Sequence, residues 1–260
     1  MYKYALIGAV IAGSQLCADE VKIDDVKGKY GNSPSIKASK ELQQHINIGF
    51  ANTTGNTETM NLNGKYDLAY TIPGYEGRDL SWMFDTSIYM TRNDGVTDNE
   101  EYTANLAFEQ KLAGKWFAYG SLKWLRNTFR NFDSKTFIGL GAGNELYNDG
   151  QHRFEVKIGA AYNVEQYSNN QPDHDFASFT QYAEYNNQLN KTSLLYVKAG
   201  ASENFEDFED YEVMGVIGLT FAVADRLSVT LEGEVRYDNI PPVGFDTTDT
   251  KSIVRLGYSF

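Results

Sequence analysis

The sequence predicts an all-β fold, a transmembrane antiparallel up-and-down β-barrel of about 12 strands and of the outer-membrane type. Three observations predict it. Apolar and polar residues alternate with a period of two over segments of about ten residues or more, a length beyond the usual 5 to 6 residues of a strand in a soluble protein. Tight connections alternate with long ones, and aromatic residues gather at the ends of the alternating segments. Composition agrees. The 260-residue chain is 42% hydrophobic with a mean hydropathy of -0.46, yet 14% of it is aromatic, and that many rings argue against disorder. Beyond the N-terminal apolar stretch, no run approaches the roughly 20 apolar residues that a membrane helix needs. The net charge of -12 excludes a nucleic-acid partner, whose phosphates require clustered Lys and Arg.

Residues 1–18 read as a secretory signal peptide: a short basic start, an apolar core from Tyr4 to Gly13, and small Ala18 before Asp19 and Glu20. Cleavage after Ala18 is expected, and with it export to the bacterial outer membrane. Cys17 is the only cysteine, so the mature chain is expected to carry no disulfide and no thiolate site. Residues 19–40, broken by Gly28, Gly31 and Pro34, read as a periplasmic tail, and residues 41–260 as the barrel.

The strands follow in order. Leu42, Ile46, Ile48 and Phe50 form the apolar face of the first; Met60, Leu62, Tyr66, Leu68, Tyr70 and Ile72 that of the second; Leu80, Trp82, Phe84, Ile88 and Met90 that of the third. Tyr102, Leu106 and Phe108 mark the fourth, Trp116, Leu122 and Trp124 the fifth, Ile138, Leu140 and Leu146 the sixth, and Phe154, Val156, Ile158 and Tyr162 the seventh. The eighth is weakest, with Phe179, Ala183 and Tyr185; Leu195 and Val197 carry the ninth, Val213, Ile217, Leu219 and Phe221 the tenth, Leu227 to Tyr237 the eleventh, and Val254 to Phe260 the twelfth.

A soluble β-sandwich also alternates, and two features favour the membrane. Long polar segments at 92–101, 126–135, 165–175, 202–210 and 238–250 alternate with tight turns such as Ala113-Gly114 and Asn148-Asp149-Gly150, as external loops alternate with periplasmic turns. With that orientation, Tyr70, Trp82, Phe108, Trp116, Phe154, Phe221 and Tyr258 fall near the periplasmic interface, and Trp124, Tyr162, Tyr211 and Tyr237 near the external one, the arrangement of aromatic girdles.

The opposite phase points into the lumen and is charged. It carries Lys65, Asp67, Glu109, Lys123, Arg153, Glu155, Lys157, Glu232, Glu234, Arg236 and Arg255, with Asp85, Lys111, Glu145, Glu184, Lys198, Glu212, Arg226 and Lys251, and the two signs nearly balance. A balanced set can pair into a plug or line a narrow channel. The excess acid lies in the external segments, above all Glu203, Glu206, Asp207, Glu209 and Asp210, with further acids at Asp94, Asp98, Glu100, Glu101, Asp246 and Asp249. Such a rim concentrates cations, and it also reads as an ordinary solvated loop surface. No catalytic, cofactor or metal site is expected. His45, His152 and His174 are the three histidines, and none has a nucleophile beside it in the pattern. Gly139, Gly141 and Gly143 alternate within one strand and line the lumen rather than open a helix.

Two resemblances extend this reading. The closing segment from Leu231 through Pro241-Pro242-Val243-Gly244-Phe245 to Leu256-Gly257-Tyr258-Ser259-Phe260, the hairpin Gly49-Phe50-Ala51-Asn52-Thr53-Thr54-Gly55-Asn56-Thr57, and Ile138-Gly139-Leu140-Gly141-Ala142-Gly143-Asn144 together are similar to the bacterial salt-induced outer-membrane proteins, catalogued as domain of unknown function 481. The resemblance covers about 41–260, departs at Asp246 and Thr247, where lysines are common in the family, and implies an integral outer-membrane barrel associated with the response to salt. It implies no active site. Tyr258 and Phe260, with Val254 and Leu256 before them, look like the C-terminal signal read by barrel-assembly machinery. The expected function is a narrow, weakly cation-preferring channel, with a non-conducting structural or envelope-stress barrel as the alternative and an outer-membrane hydrolase as the last-ranked reading. The expected partners are outer-membrane lipid and lipopolysaccharide, the assembly machinery and cations, around a monomer.

Overall fold

A computed structural model describes residues 39–259 apart from 55–58, 94–95, 170 and 225. The expected signal peptide, most of the tail, Asp94 and Phe260 lie outside the described residues. Twelve strands follow one another: β1 Gln43–Thr54, β2 Thr59–Pro73, β3 Asp79–Asn93, β4 Val96–Lys111, β5 Trp116–Asn127, β6 Phe132–Asn148, β7 His152–Tyr167, β8 His174–Asn190, β9 Ser193–Asn204, β10 Tyr211–Ala224, β11 Leu227–Asp238 and β12 Thr248–Ser259. Each pairs antiparallel with the next, and β1 closes on β12 through partners such as Ile46 with Tyr258 and Ile48 with Leu256.

Following cross-strand partners once round the ring returns to β1 about 16 residues from the start, which for twelve strands gives a tilt of about 42° and a backbone radius of roughly 12–13 Å. Along a strand tilted that far, each residue climbs about 2.4 Å. Trp116 and Trp124 on β5 are therefore about 20 Å apart in height, and Phe221 and Tyr211 on β10 about 24 Å, close to the roughly 25 Å apolar band of such barrels.

Burial is inverted relative to a soluble protein. Leu140, Ile158, Ile217, Ile48 and Val254 stand on the outside at half exposure or more, while Asp67, Lys198, Lys157 and Glu234 are buried. A continuous apolar outer surface has lipid as its physical complement. Trp82 and Phe108 meet at 5.8 Å between ring centroids near one rim, and Tyr211 and Tyr237 at 5.9 Å near the other. The phase of β8 is also defined: Tyr182, Glu184 and Asn186 are buried inside, and Gln181 faces outward.

The connections depart from expectation. The segment expected as a loop at 92–101 is mostly strand, since β3 runs to Asn93 and β4 begins at Val96, and the one expected at 126–135 shrinks to a 3-10 turn, Thr128–Arg130. Among the described connections, the outer ones at 168–173, 205–210 and 239–247 are each longer than the longest of the opposite turns, 74–78. Polar residues on both faces read as loop in a sequence. Past the apolar band, though, strands with water on both sides keep pairing because their backbone amides still need partners. At the periplasmic rim, the Tyr75–Gly77 turn and the Asn148-Asp149-Gly150 turn are tight as expected. The His152 amide donates to Asp149 Oδ1 at 2.6 Å, and this bond with that from Tyr147 holds the Asp149 carboxyl below its ordinary range.

Leu140, 68% exposed near the middle of β6, tests the lipid face. Leu140→Arg is expected to cost about 2–4 kcal/mol in denaturant-monitored refolding into vesicles, whereas Leu140→Met leaves the midpoint unchanged. Equal midpoints for the two variants would refute a lipid-facing β6.

Candidate functional site

The inward phase of the strands builds a lumen whose two ends differ. Toward the periplasmic turns it is packed. Phe117 and Leu194 are fully buried, Tyr196 almost so, and Ala69, Met83 and Ala107 form one apolar cluster. Glycine makes room for the rings. A Cβ at Gly143 would run into the Phe117 ring, and one at Gly218 into Tyr196. Of the alternating lumen glycines of β6, Gly141 and Gly143 lie against Tyr119 and Phe117 of β5, and Gly139 against the Phe137 ring of its own strand.

Carboxylates sit directly opposite one another in this layer, Asp67 beside Asp85 and Glu155 beside Glu184, an arrangement that is unfavourable unless cations intervene. They do. Lys65 lies 2.6 Å from Asp67, and Asn105 donates to Asp85 at 3.0 Å. Lys157 bridges Glu109 at 2.6 Å and Glu155 at 3.3 Å. Arg153 joins Glu145 and Glu155, and Lys198 lies 3.6 Å from Glu184, which also accepts from Tyr182 and Asn186. Glu232 accepts from Tyr196 at 2.5 Å and from Arg255 at 3.2 Å. Desolvated charges persist only when paired and hydrogen-bonded in this way.

Above this layer the lumen is hollow. A cavity of about 160 Å³ lies against β5 to β11, and a second of about 70 Å³ against β2 to β5, β11 and β12. Lys123 and Arg236 line both. They come from β5 and β11, which are half a turn apart in a ring of twelve, so they partition the lumen into two side-by-side chambers. The larger chamber carries Lys123, Arg130, Lys135, Lys157 and Arg236 on its lining against the carboxylates Asp210 and Glu212. Among the described residues, Lys123 makes no hydrogen bond and no ion pair, whereas Arg236 pairs with Glu234.

At the outer mouth, Arg130 folds inward from its 3-10 turn. Asn127 accepts from its backbone amide at 3.2 Å, and Asn131 takes the left-handed conformation (φ 62°) that turns the chain back into β6. The guanidinium then meets Asp238, Glu212 and Asp249 from three directions. Lys135 bridges Glu165 and Glu212, at 2.6 and 2.7 Å. The 239–247 connection reaches over this cluster, where the Val243 amide donates to Gln171 Oε1 at 3.2 Å.

The lumen residues expected from the alternation point inward: Lys65, Asp67, Glu109, Lys123, Arg153, Glu155, Lys157, Glu232, Glu234, Arg236 and Arg255. Arg226 does not, since it sits in the turn between β10 and β11. Glu203 belongs to β9 rather than to a loop. Glu206, Asp207 and Glu209 are exposed on the 205–210 connection, and half-buried Asp210 accepts from Asn204 at 2.9 Å. Two acids expected at the rim are instead lumen groups. Glu101 pairs with Lys251 at 2.9 Å, and Asp249 approaches Arg130. Arg130 and Lys135 went unrecognised because they fall in a stretch that reads as loop; the asparagines flanking the Arg130 turn were the available signal. His45, His152 and His174 stand on three strands, with His152 Nδ1 2.7 Å from Tyr185 Oη and His174 stacked on Phe176. Among the described residues, no group of three His, Cys, Asp or Glu is placed to hold a metal.

An apolar exterior, a charged and partly hollow interior and a closed ring of twelve tilted strands define an outer-membrane-type β-barrel. The chain belongs to the family described as protein of unknown function DUF481, whose model matches residues 46–260. Solved structures repeat the architecture at low identity. The NanC porin is 8% identical with a TM-score of 0.55, over 83% of this chain and 100% of its own. The COG4313 outer membrane channel from Pseudomonas putida F1 is 8% identical with a TM-score of 0.53, over 86% and 97%. The translocator domain of the autotransporter NalP from Neisseria meningitidis is 10% identical with a TM-score of 0.50, over 85% and 89%. Comparison with curated proteins gives no sequence match.

Removing Lys157 leaves Glu109 and Glu155 without their shared cation. Lys157→Met is expected to cost about 3–5 kcal/mol, and adding Glu109→Gln should recover part of that loss. Denaturant midpoints of the single and double variants measure the coupling; strictly additive losses would rule it out.

Proposed function

We propose that the protein is an integral barrel of the bacterial outer membrane and a narrow, low-conductance channel for small hydrophilic ions. The observation that carries this reading is the hollow, charge-lined outer part of the lumen, where two chambers meet at Lys123 and Arg236 above a packed periplasmic layer. Ions reach the chambers from outside, and the packed layer is the constriction. The exposed acids Glu206, Asp207 and Glu209 at the mouth support a weak preference for cations. That preference acts through solvent and fades with ionic strength, because the Debye length shrinks to about 8 Å at 0.15 M. The packed layer also supports a second reading, a non-conducting barrel that serves the envelope structurally; the resemblance to salt-induced proteins fits either.

Export through a cleaved signal peptide, assembly by machinery that reads Tyr258 and Phe260, and a monomer embedded in lipopolysaccharide and phospholipid complete the proposal.

Planar-bilayer recording of the refolded barrel separates the two readings. Small, stable steps with a cation-directed reversal potential at low salt are expected, and a silent membrane with full insertion would overturn the channel. Phe117→Ala, which opens the periplasmic layer beside Gly143, is expected to raise the step at least twofold. Charge-neutral replacement of Glu206, Asp207 and Glu209 should move the reversal potential toward zero without changing the step size.

A further inference from the structure

We propose that the larger chamber binds a small organic anion, a carboxylate carried on a flat apolar body. Four features carry the inference. The first is size: about 160 Å³ holds on the order of ten waters, and so a ligand of about ten non-hydrogen atoms. The second is charge. This chamber's lining has five bases against two carboxylates, and since Arg130, Lys135, Lys157 and Arg236 pair with acids in and behind the lining, Lys123 is the base left over. The third is Lys123, the one base on that lining that the described residues leave without a hydrogen bond or an ion pair. An ammonium group away from bulk solvent is stabilised by an anionic partner; Asp85, Glu101 and Glu234 lie within electrostatic reach of Lys123, but none of them comes to ion-pair distance. The fourth is the apolar wall. Phe137, Phe176 and Met214 share the lining with the bases, and such faces favour a ring over a hydrated inorganic ion.

The chamber lies toward the outer mouth, so the ligand enters from the external side. The acids at the mouth oppose its approach only through solvent, and salt at physiological strength screens them. Once inside, the anion compensates Lys123, the other bases of the lining being paired already, which is compatible with weak cation preference in conduction. The site does not depend on conduction.

Isothermal titration of the full refolded protein tests the proposal with benzoate, which has about the right size, against benzamide, its neutral isostere, and inorganic phosphate. Benzoate is expected to bind at least tenfold more tightly than either, and Lys123→Gln is expected to weaken benzoate about tenfold. Benzamide equal to benzoate, or an unchanged affinity in Lys123→Gln, overturns the anion site. Phosphate equal to benzoate overturns its apolar half. Lys123→Arg keeps the charge and is expected to retain binding, and the benzoate to benzamide comparison needs no variant. A barrel that binds benzoate but is silent in bilayers refutes the channel and leaves this site standing; one that conducts without binding does the reverse.

Discussion

The constraint on which the rest of the structure depends is that no backbone amide may be left unpaired where the chain meets lipid. Water is absent there, and each orphaned group would cost several kcal/mol. Antiparallel hairpins satisfy all strands but the outer edges of the first and last, and the pairing of β1 with β12 removes those edges. Closure then dictates geometry. Twelve strands offset by about 16 residues per circuit must tilt by about 42°, and that tilt sets the lumen roughly 25 Å wide between backbones. A ring of this width is too wide to be filled by small side chains and narrow enough for long ones to meet from opposite walls.

The contents of the lumen follow from that intermediate width. Alternation commits every second residue to the interior, so the inward set must be polar enough to coexist with water and large enough to limit it. Lys, Arg and Glu meet both requirements, at the cost of desolvating charge. The structure offsets this cost by density of pairing. Glu155 and Glu184, opposed across β7 and β8, would repel if alone, but Lys157, Lys198, Arg153 and Tyr182 surround them. Lys123 is the exception: half-buried on the partition between two hollow chambers, it has Asp85, Glu101 and Glu234 within electrostatic reach but none at ion-pair distance.

Most of the barrel was legible in the sequence because period-two alternation is a direct consequence of the pleat. Residues such as Leu62, Tyr66 and Tyr70 against Asn63, Lys65 and Asp67 could be assigned to faces without any knowledge of their neighbours. Even β8, with polar Gln181 on its outer face, keeps its phase, since Tyr182, Glu184 and Asn186 bond to one another inside. What could not be read was where strands stop outside the membrane. Alternation reports lipid on one side, and above the band both sides are wet, so β3, β4 and β6 continue through residues that look like loop. The candidate site was legible as a list of inward charges and not as a constellation. Pairings such as Arg130 with Asp238 and Lys251 with Glu101 join residues more than a hundred positions apart. They depend on the circuit offset and on a left-handed Asn131, neither of which leaves a periodic trace.

The asymmetry between a packed periplasmic end and a hollow outer end has a local origin in residue size. Near the periplasmic turns, rings fill the space left by glycines of the inner wall, Gly143 under Phe117 and Gly218 under Tyr196. Higher up, Gly200 on β9 has no such ring over it: its nearest side-chain neighbour is Met214, whose contact is an ordinary one. The same residue type thus closes the lumen where an aromatic is opposite and opens it where none is. A change of ring at one level or of glycine at the other would alter how far water penetrates without touching the outer face, so the lipid-facing scaffold and the lumen can vary independently. That separation, one phase for the membrane and the other for the contents, is what lets a barrel of fixed architecture hold either a plug or a binding chamber.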